Sequence, residues 1–332
     1  MTQAVDCPDQ AKASRDDIDE IAVILPVYMC KSLLREVCDR LAATLSRITD
    51  RYSIVLVDDA SPDHSWPLIE EMGHADPRIR GLRLCRNFGQ HYALTAGLDH
   101  CRARWYVVMD CDLQDAPEDV LRLYEKAVEG HDVVVAVHGK GGHSTMKRLT
   151  SRLFYWLFRK LSGLKGDWHQ GNFRIFSDTV AQAFRQVREQ LRFLPATFDW
   201  MGFETTAIEV DHVPRNDGSS SYTFRKLAQL ALNTILAHSE VPLKLVAAFG
   251  LVLSFASILG GAYIAVRTLF YGAAVSGWAS LFVLICIIGG VQIFIMGVLG
   301  MYVGKTFNEA KKRPLYLVSN YSNIDAAGAA RS

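Results

Sequence analysis

The sequence predicts an α/β domain with a parallel, doubly wound sheet, followed by two helices that cross a membrane. Two observations predict this. Short continuous apolar runs alternate with helical patterns between residues 21 and 137, as buried parallel strands and their crossover helices do. Two later segments, 245–266 and 278–303, contain no charged residue and are long enough to span the hydrocarbon core of a bilayer.

Composition narrows the class of protein. The chain has 332 residues and a net charge of +1, which gives no indication of a nucleic-acid partner. Its seven cysteines include no C-x-x-C pair, which is typical of a domain that faces a reducing cytoplasm. Residues 1–20 are polar and acidic without an apolar core segment, so we expect a disordered lead and no signal peptide.

The first two strands are predicted by apolar runs at residues 21–25 and 54–57. The first run should stop at Pro26, because proline interrupts a ladder, and the second ends in Asp58-Asp59. Between them, residues 33–48 carry an apolar stripe with helical spacing. Ser61-Pro62 has the pattern of a helix N-cap followed by proline at the first helical position.

The same alternation continues along the domain. Residues 79–84 predict a third strand, and a helix follows Asn87-Phe88-Gly89 as far as about Cys101. A fourth strand is predicted over 105–109 and a fifth over 132–137. A helix that begins at Pro117 and ends near Gly130 separates these two strands, which completes a regular βα pattern.

Polar residues stand where the predicted strands end. Ligands of open α/β sheets bind beyond the carboxyl ends of the strands, and three ends meet there, with Pro26-Val27-Tyr28, Asp58-Asp59 and Asp110-x-Asp112. Residues i and i+2 of an extended chain point the same way, so Asp110 and Asp112 can share one Mg²⁺ or Mn²⁺. The alternative is a strand end with a polar loop and a helix-capping aspartate.

Asp58 and Asp59 are adjacent, so their side chains should face opposite ways, one toward a ligand and the other bracing a loop. No G-x-G-x-x-G follows the first strand, and no G-x-x-x-x-G-K-S/T occurs in the chain. The sequence therefore disfavours a dinucleotide-binding domain and a P-loop nucleoside triphosphatase.

Two amphipathic segments follow the fifth strand. Residues 146–166 alternate basic side chains with aromatic and aliphatic ones, which suits a membrane surface with anionic head groups or a helix that packs on the sheet. Residues 224–236 carry a second apolar stripe. We therefore assign residues 215–242 to a juxtamembrane amphipathic region.

The C-terminal third predicts a transmembrane hairpin over residues 243–304 and a cytoplasmic tail over 305–332, of which 319–332 should be loose. The loop between the spans holds only Arg267, whereas seven basic residues flank the pair, which places both flanks in the cytoplasm. The alternative is a buried helical hairpin of a soluble protein. Glycines favour close helix packing, within the chain or between protomers of a homo-oligomer; they are Gly289, Gly290, Gly297, Gly300 and Gly304.

Several motifs together resemble a known family. In the domain they are Leu25-Pro26-Val27-Tyr28, Val57-Asp58-Asp59-Ala60-Ser61, Asn87-Phe88-Gly89, Ala96-Gly97-Leu98 and Met109-Asp110-Cys111-Asp112-Leu113-Gln114-Asp115. Later ones are Trp200-Met201-Gly202-Phe203, Arg215-Asn216-Asp217-Gly218, Pro242-Leu243-Lys244 and Lys311-Lys312-Arg313-Pro314-Leu315-Tyr316. Residues 21–318 thus resemble family-2 glycosyltransferases of the GT-A fold. They are similar to the polyprenyl-phosphate members, such as dolichol-phosphate mannose synthases and bacterial undecaprenyl-phosphate glucosyltransferases.

The resemblance implies a GT-A domain over residues 21–214. It implies inverting transfer of a sugar from a nucleotide sugar, with UDP-glucose favoured over UDP-N-acetylhexosamine and GDP-mannose, to a polyprenyl phosphate. The implied place is the cytoplasmic face of the inner membrane, where the product would serve modification of cell-envelope glycans such as lipopolysaccharide.

Site residues follow from the same resemblance. Pro26, Tyr28, Asp58 and Asp59 would hold the nucleotide sugar together with Asp110 and Asp112, and Gln114 would join these last two around Mg²⁺ or Mn²⁺. The acceptor phosphate would meet Arg215, Arg148 and Lys140, with His138 as the alternative to Lys140 where relatives carry an arginine. The residues expected to act in catalysis are Asp110, Asp112 and Arg215.

Two other hypotheses remain open from sequence. A hydroxyl acceptor, on a glycolipid or saccharide, would have to lose its proton during transfer, with Asp199 or Glu204 as base. A membrane protein without catalytic activity is the third, although the intact Asp110, Asp112, Gln114 and Arg215 disfavour it.

Overall fold

The computed structural model of the chain describes residues 18–138, 172–190, 192–210, 241–271 and 277–324. The chain divides into two compact units, one containing the sheet and one containing two long helices. The described strands form one eight-stranded sheet in the order β7-β5-β6-β4-β1-β2-β3-β8. They are β1 (Asp19–Val27), β2 (Tyr52–Asp58), β3 (Ile79–Leu84), β4 (Ala103–Val108), β5 (Val133–His138), β6 (Arg174–Ser177), β7 (Thr205–Val210) and β8 (Val318–Ser322).

The helices of the sheet unit lie between these strands. A short 3-10 helix (Lys31–Leu33) leads into α1 (Leu34–Leu45), and the others are α2 (Trp66–Ala75), α3 (Gln90–Asp99), α4 (Asp119–Val128), α5 (Asp178–Gln186) and α6 (Leu194–Met201). Two buried apolar clusters lie on the two faces of the sheet, so helices cover both sides of it. The predicted α/β class and all five predicted strands are confirmed.

The prediction of an entirely parallel sheet was wrong. Strands β4, β1, β2 and β3 are parallel neighbours, but β6 inserts antiparallel between β4 and β5. This strand has four residues, too few to show a periodic pattern in the sequence. Its place in the sheet depends on pairing with β4, which lies about 70 residues earlier, through pairs such as Val107 with Ile175.

Pro26 does not end β1 as predicted, because the strand continues to Val27 and pairs Pro26 with Val57 of β2. Alternate residues of a strand direct their backbone groups to the same neighbour, so Pro26 and Ile24 both face β4. Pairing with β4 ends at Ile24 and Val108. The missing N–H of Pro26 therefore costs no ladder hydrogen bond.

The predicted helix start at Ser61-Pro62 was also wrong, since α2 begins at Trp66 with Ser65 as its N-cap residue and a proline in its first turn. The Ser61 hydroxyl accepts a hydrogen bond from the Met29 amide at 2.8 Å and donates one to Asp63. Ser61 thus links the loop after β2 to the loop after β1. The true start is marked four residues later by Ser65, with Pro67 two positions after it.

The loose tail predicted from residue 319 was wrong for its described part. Strand β8 pairs antiparallel with β3, and Leu82 lies opposite Tyr321. Asn323 donates its side-chain amide to the carbonyl oxygens of Gly73 and Ile79. A strand at the edge of a sheet pairs through its backbone groups and needs no alternation of apolar residues. The mostly polar sequence of β8 therefore gave no sign of a strand.

The second unit contains α7 (Val241–Tyr271) and α8 (Trp278–Ala310). Both are long and apolar enough to cross a membrane, with hydropathy of 2.0 over residues 243–260 and 1.9 over 287–310. Their apolar side chains are exposed, for example Leu251 at 73% and Ile293 at 72%. At the five glycines of α8, an added Cβ would meet no atom within 4 Å among the described residues. The predicted contact between protomers stays a prediction.

Other predictions fall outside the described residues. These include the lead over 1–17, the amphipathic segments 146–166 and 224–236, and the acceptor residues Lys140, Arg148 and Arg215. Strand β1 begins at Asp19, two residues before the predicted start of the domain.

Candidate active site

The carboxyl ends of β1, β2 and β4 open onto one cavity of about 780 Å³. Because these strands are parallel neighbours, their ends share one edge of the sheet. Six residues predicted from the sequence line this cavity: Pro26, Tyr28, Asp59, Asp110, Asp112 and Gln114. The sheet therefore brings together residues that lie up to 88 positions apart in the chain.

Side-chain amides orient the two carboxylates that follow β4. Gln90, at the start of α3, donates a hydrogen bond to Oδ1 of Asp110. Gln114 donates its side-chain amide to Oδ2 of Asp112 at 2.7 Å and its backbone N–H to Oδ1 at 3.2 Å. Leu113, between Asp112 and Gln114, has a φ of 58°, which turns the loop sharply enough for these contacts.

Burial makes this group of carboxylates costly to ionise. Desolvation, followed by repulsion from Asp112, raises the pKa of Asp110 to about 6, while the hydrogen bond from Gln90 opposes the rise. Desolvation also raises the pKa of Asp115 to about 7, with Asp110 the next largest cause. A bound cation would offset both costs, so the site favours a positively charged ligand at neutral pH.

The donor set suits a hard divalent cation. Two carboxylates and one amide oxygen are ligands that Mg²⁺ and Mn²⁺ accept, and Mg²⁺ sites commonly take one or two carboxylates and complete the shell with substrate phosphates. Within the described ranges, no cluster of three His, Cys, Asp or Glu side chains is arranged as a metal cage. Asp110, Asp112 and Gln114 would leave part of the coordination shell of such a cation to other ligands.

The two aspartates at the carboxyl end of β2 are both buried but have different surroundings. Asp59 lines the cavity and accepts hydrogen bonds from the backbone amides of Phe88 at 2.7 Å and Gly89 at 2.8 Å. Asp58 lies behind it, where Oδ1 accepts from the Ser61 amide and Oδ2 lies 3.4 Å from Nε of Arg83. Both brace loops, and of the two only Asp59 lines the described cavity.

Gln90 is a site residue that sequence reasoning missed. Asp59 holds the loop before α3, Gly89 provides a φ of 103° at its N-cap, and Gln90 is the first helical residue. Gly97, farther along α3, lets the helix approach the sheet, because a Cβ there would collide with Ile24. The signal was present, since Gln90 follows Asn87-Phe88-Gly89 directly, but only the fold shows that it reaches Asp110.

A disulfide joins Cys30 and Cys111, and both residues line the cavity. Their Cα atoms are 6.5 Å apart although 81 residues separate them in sequence. Of the other described cysteines, Cys38 and Cys101 are free and buried, and Cys85 is free and exposed. The cysteine pattern pointed to a reducing compartment and did not reveal this pair.

The other candidate residues lie elsewhere. Asp199 is on α6, Glu204 is exposed just before β7, and His138 is the last residue of β5. None of the three is among the described residues that line the cavity.

Comparison with known proteins decides the family. The sequence model of "Glycosyl transferase family 2" matches residues 22–192, from β1 to the loop before α6. The chain belongs to glycosyl transferase family 2. The predicted family, the GT-A fold and the assignment as a transferase are thereby confirmed.

Relatives of this family 2 glycosyltransferase match between 80% and 95% of its length. An uncharacterized glycosyltransferase of Synechocystis sp. is 33% identical, covering 92% of this chain and 96% of the relative. The undecaprenyl-phosphate 4-deoxy-4-formamido-L-arabinose transferase of Shewanella sediminis is 31% identical, covering 95% and 96%. The bactoprenol glucosyl transferase of Shigella phage SfV is 36% identical, covering 80% and 87%.

Proposed function

We propose that this glycosyltransferase transfers a sugar, with inversion, from a nucleotide diphosphate sugar to a polyprenyl phosphate at the cytoplasmic face of a membrane. The observation that carries the proposal is the convergence of Asp110, Asp112 and Gln114 with Tyr28 in one cavity at the carboxyl edge of the sheet. Such an arrangement suits a ligand with a planar base at one end and a diphosphate at the other.

On the donor side, each residue has a physical task. Tyr28 is 50% exposed at the cavity, which leaves its ring available to pack against a nucleoside base. Asp110 and Asp112 would hold Mg²⁺ or Mn²⁺, oriented by Gln90 and Gln114. When bound, the cation supplies charge neutralisation for the departing nucleoside diphosphate. A cavity of about 780 Å³ lies within the range of small-molecule sites.

The acceptor side favours a phosphate over a hydroxyl. A phosphate oxygen is already an anion near neutral pH, so its attack on the sugar needs no strong base. Neither Asp199 nor Glu204 is among the described residues that line the cavity. Arg215, Arg148 and Lys140 are proposed to bind the acceptor phosphate, because guanidinium and ammonium groups pair strongly with phosphate oxygens.

The path of the chain supports a membrane hairpin with both ends on one side. Strand β7 precedes α7 and β8 follows α8, and both strands belong to the same sheet. If α7 and α8 each cross a bilayer, the chain leaves and re-enters the side that holds this sheet. The excess of basic residues flanking the helices supports the proposal that this side is the cytoplasm.

The lipid and the sugar are proposed from the relatives. Two of them are named for transfer involving undecaprenyl phosphate or bactoprenol. UDP-glucose is the proposed donor because the phage relative is a glucosyl transferase and has the highest identity of the three. Such a product would donate its sugar to cell-envelope glycans.

The test uses the purified full-length chain in lipid nanodiscs. It is incubated with Mn²⁺, a short-chain polyprenyl phosphate and, in turn, UDP-glucose, UDP-N-acetylglucosamine and GDP-mannose, and products are identified by mass spectrometry. We expect polyprenyl phosphate that carries one hexosyl residue from UDP-glucose, and no product with EDTA. NMR of the product should show inverted anomeric configuration.

The control separates the acceptor classes. A polyprenol and a diacylglycerol, which lack the phosphate monoester, are offered under the same conditions. Transfer to either, lost in Asp199→Asn or Glu204→Gln while donor binding survives, would replace the proposed acceptor by a hydroxyl. Binding of no nucleotide sugar in calorimetry would contradict the transferase proposal as a whole.

A further inference from the structure

The disulfide connects the two loops that form the candidate donor site. Cys30 lies two residues after Tyr28, in the loop after β1, and Cys111 lies between Asp110 and Asp112 after β4. A Cα separation of 6.5 Å is within the range that a disulfide spans without backbone movement. Both residues line the cavity and are otherwise buried, at 5% and 6% exposure, so the cavity is the route by which a small thiol would approach the bond.

Each of these loops contains a residue in a conformation that non-glycine residues seldom adopt. Met29, next to Cys30, has a φ of 58°, and Leu113, two residues after Cys111, has the same value. Such a conformation persists only where surrounding contacts enforce it. The Met29 amide is held by Ser61, and the Cys30–Cys111 bond is a further restraint that both loops share.

We propose that Cys30 and Cys111 form a reversible thiol–disulfide site whose co-reactant is a low-molecular-weight thiol or its disulfide. Two thiol molecules, RSH, reduce the bond in two exchanges through a mixed disulfide. The Cys30–Cys111 bond breaks, one S–S bond forms in RSSR, and two protons from RSH end on the two cysteine sulfurs. The reverse reaction with RSSR oxidises the pair. Disulfides of cytosolic proteins are characteristically of this transient kind.

The redox state of this site sets divalent-cation affinity, a consequence that rests on the proposed cation site. Mg²⁺ and Mn²⁺ bind best to ligands held in place before binding, and Mg²⁺ in particular tolerates little departure from octahedral geometry. The bond ties the loop that carries Asp110 and Asp112 to the loop after β1. Reduction frees both loops, so the carboxylates must be ordered again when the cation binds.

The experiment measures thiol state and Mn²⁺ binding on the full-length chain. Protein equilibrated with oxidised glutathione or with dithiothreitol is alkylated and digested, and mass spectrometry reports whether Cys30 and Cys111 are labelled. Parallel samples, freed of glutathione or dithiothreitol under anaerobic conditions, are titrated with Mn²⁺ and followed by electron paramagnetic resonance. We expect the pair to be labelled only after reduction, and the Kd for Mn²⁺ to be about fivefold higher in the reduced form.

Cys30→Ser should bind Mn²⁺ with the affinity of reduced wild type under both conditions. Cys85→Ser, which removes an exposed thiol away from the cavity, should respond as wild type does. Labelling of both cysteines after treatment with oxidised glutathione, or equal Kd values in the two states, would overturn the proposal. Failure of Mn²⁺ to bind in either state would defeat the cation site and the coupling together, whereas failure of sugar transfer alone would leave both readouts intact.

Discussion

Two pairs of aspartates lie at the carboxyl ends of β2 and β4, the strands on either side of β1, and the two pairs have different surroundings. Asp58 and Asp59, at the carboxyl end of β2, accept hydrogen bonds from backbone amides of their own loop or a nearby one. Asp110 and Asp112, after β4, accept from the side chains of Gln90 and Gln114, and Asp112 also accepts from the Gln114 backbone N–H. Both line the cavity, as Asp59 does. The first pair therefore holds loops in place, and the second remains available to a ligand.

The difference shows that the spacing of two aspartates at a strand end determines whether both can face the same ligand. Adjacent aspartates point to opposite sides, so one of the first pair is buried behind the cavity edge and paired with Arg83. Aspartates at i and i+2 point the same way and can share a ligand. Each carboxylate of the second pair accepts from a side-chain amide, which can move when a cation binds, and Asp112 accepts in addition from the backbone N–H of Gln114.

The largest effect is expected from Asp112→Asn, which tests whether the second pair acts in sugar transfer. Loss of one negative ligand should reduce sugar transfer by about 10³-fold, because charge stabilisation of the leaving group is a large share of catalysis. Transfer from UDP-glucose is measured in nanodiscs by mass spectrometry. Glu125→Gln, which neutralises an exposed carboxylate on α4, is the matched control and should leave transfer unchanged. Full activity of Asp112→Asn with EDTA present would remove the cation from the mechanism.

Asp59→Ala should lower the stability of the fold and, as a consequence, the affinity of the site for Mn²⁺. The half-buried amides of Phe88 and Gly89 lose their acceptor, so the free energy of unfolding should fall by about 2 kcal/mol. The loop that aims Gln90 at Asp110 is then loosened, so Mn²⁺ affinity should fall about tenfold, the equivalent of roughly 1.4 kcal/mol. Thermal unfolding and Mn²⁺ titration measure the two effects. An unchanged melting temperature would show that Asp59 does not brace the loop.

The pH dependence of cation binding tests the second pair directly. Asp110 has a pKa raised to about 6, and it must lose its proton to bind a cation, so Mn²⁺ affinity should fall about tenfold between pH 7 and pH 5. Without a cation, the stability of the fold should change with pH in the opposite direction to Mn²⁺ affinity. A raised folded-state pKa means that protonation stabilises the fold, so stability is gained as pH falls through about 6. Asp110→Asn should weaken both dependences, and an Mn²⁺ affinity independent of pH over this range would contradict the assignment.

The smallest effect is expected far from the cavity. Tyr316 donates a hydrogen bond to the buried Asp99 at 2.8 Å, and Arg188 holds the same carboxylate. Tyr316→Phe should lower the free energy of unfolding by about 1 kcal/mol and leave the Mn²⁺ affinity unchanged. Tyr321→Phe, the same change at a tyrosine within β8, is the variant with which Tyr316→Phe is compared. A change in Mn²⁺ affinity in Tyr316→Phe would mean that the C-terminal segment influences the site.

Much of the fold and site could be predicted from local sequence. Strands buried on both faces must be apolar throughout, so β1, β2 and β4 were visible as continuous runs. Polar residues at the end of such runs lie at the ligand-binding edge, which is why Tyr28, Asp110 and Asp112 were found together. The match to family 2 confirms the class of enzyme that these motifs indicated.

The sequence by itself determined the apolar strands, the polar strand ends and the two long apolar helices, because these follow from the side chains of neighbouring residues. Only the tertiary structure decided the antiparallel insertion of β6, the pairing of β8 with β3, the reach of Gln90 to Asp110 and the Cys30–Cys111 bond. Each of these joins segments distant in the chain through backbone pairing or a single contact. Such contacts depend on where the sheet brings two segments together, and neither segment carries a local pattern that identifies its partner.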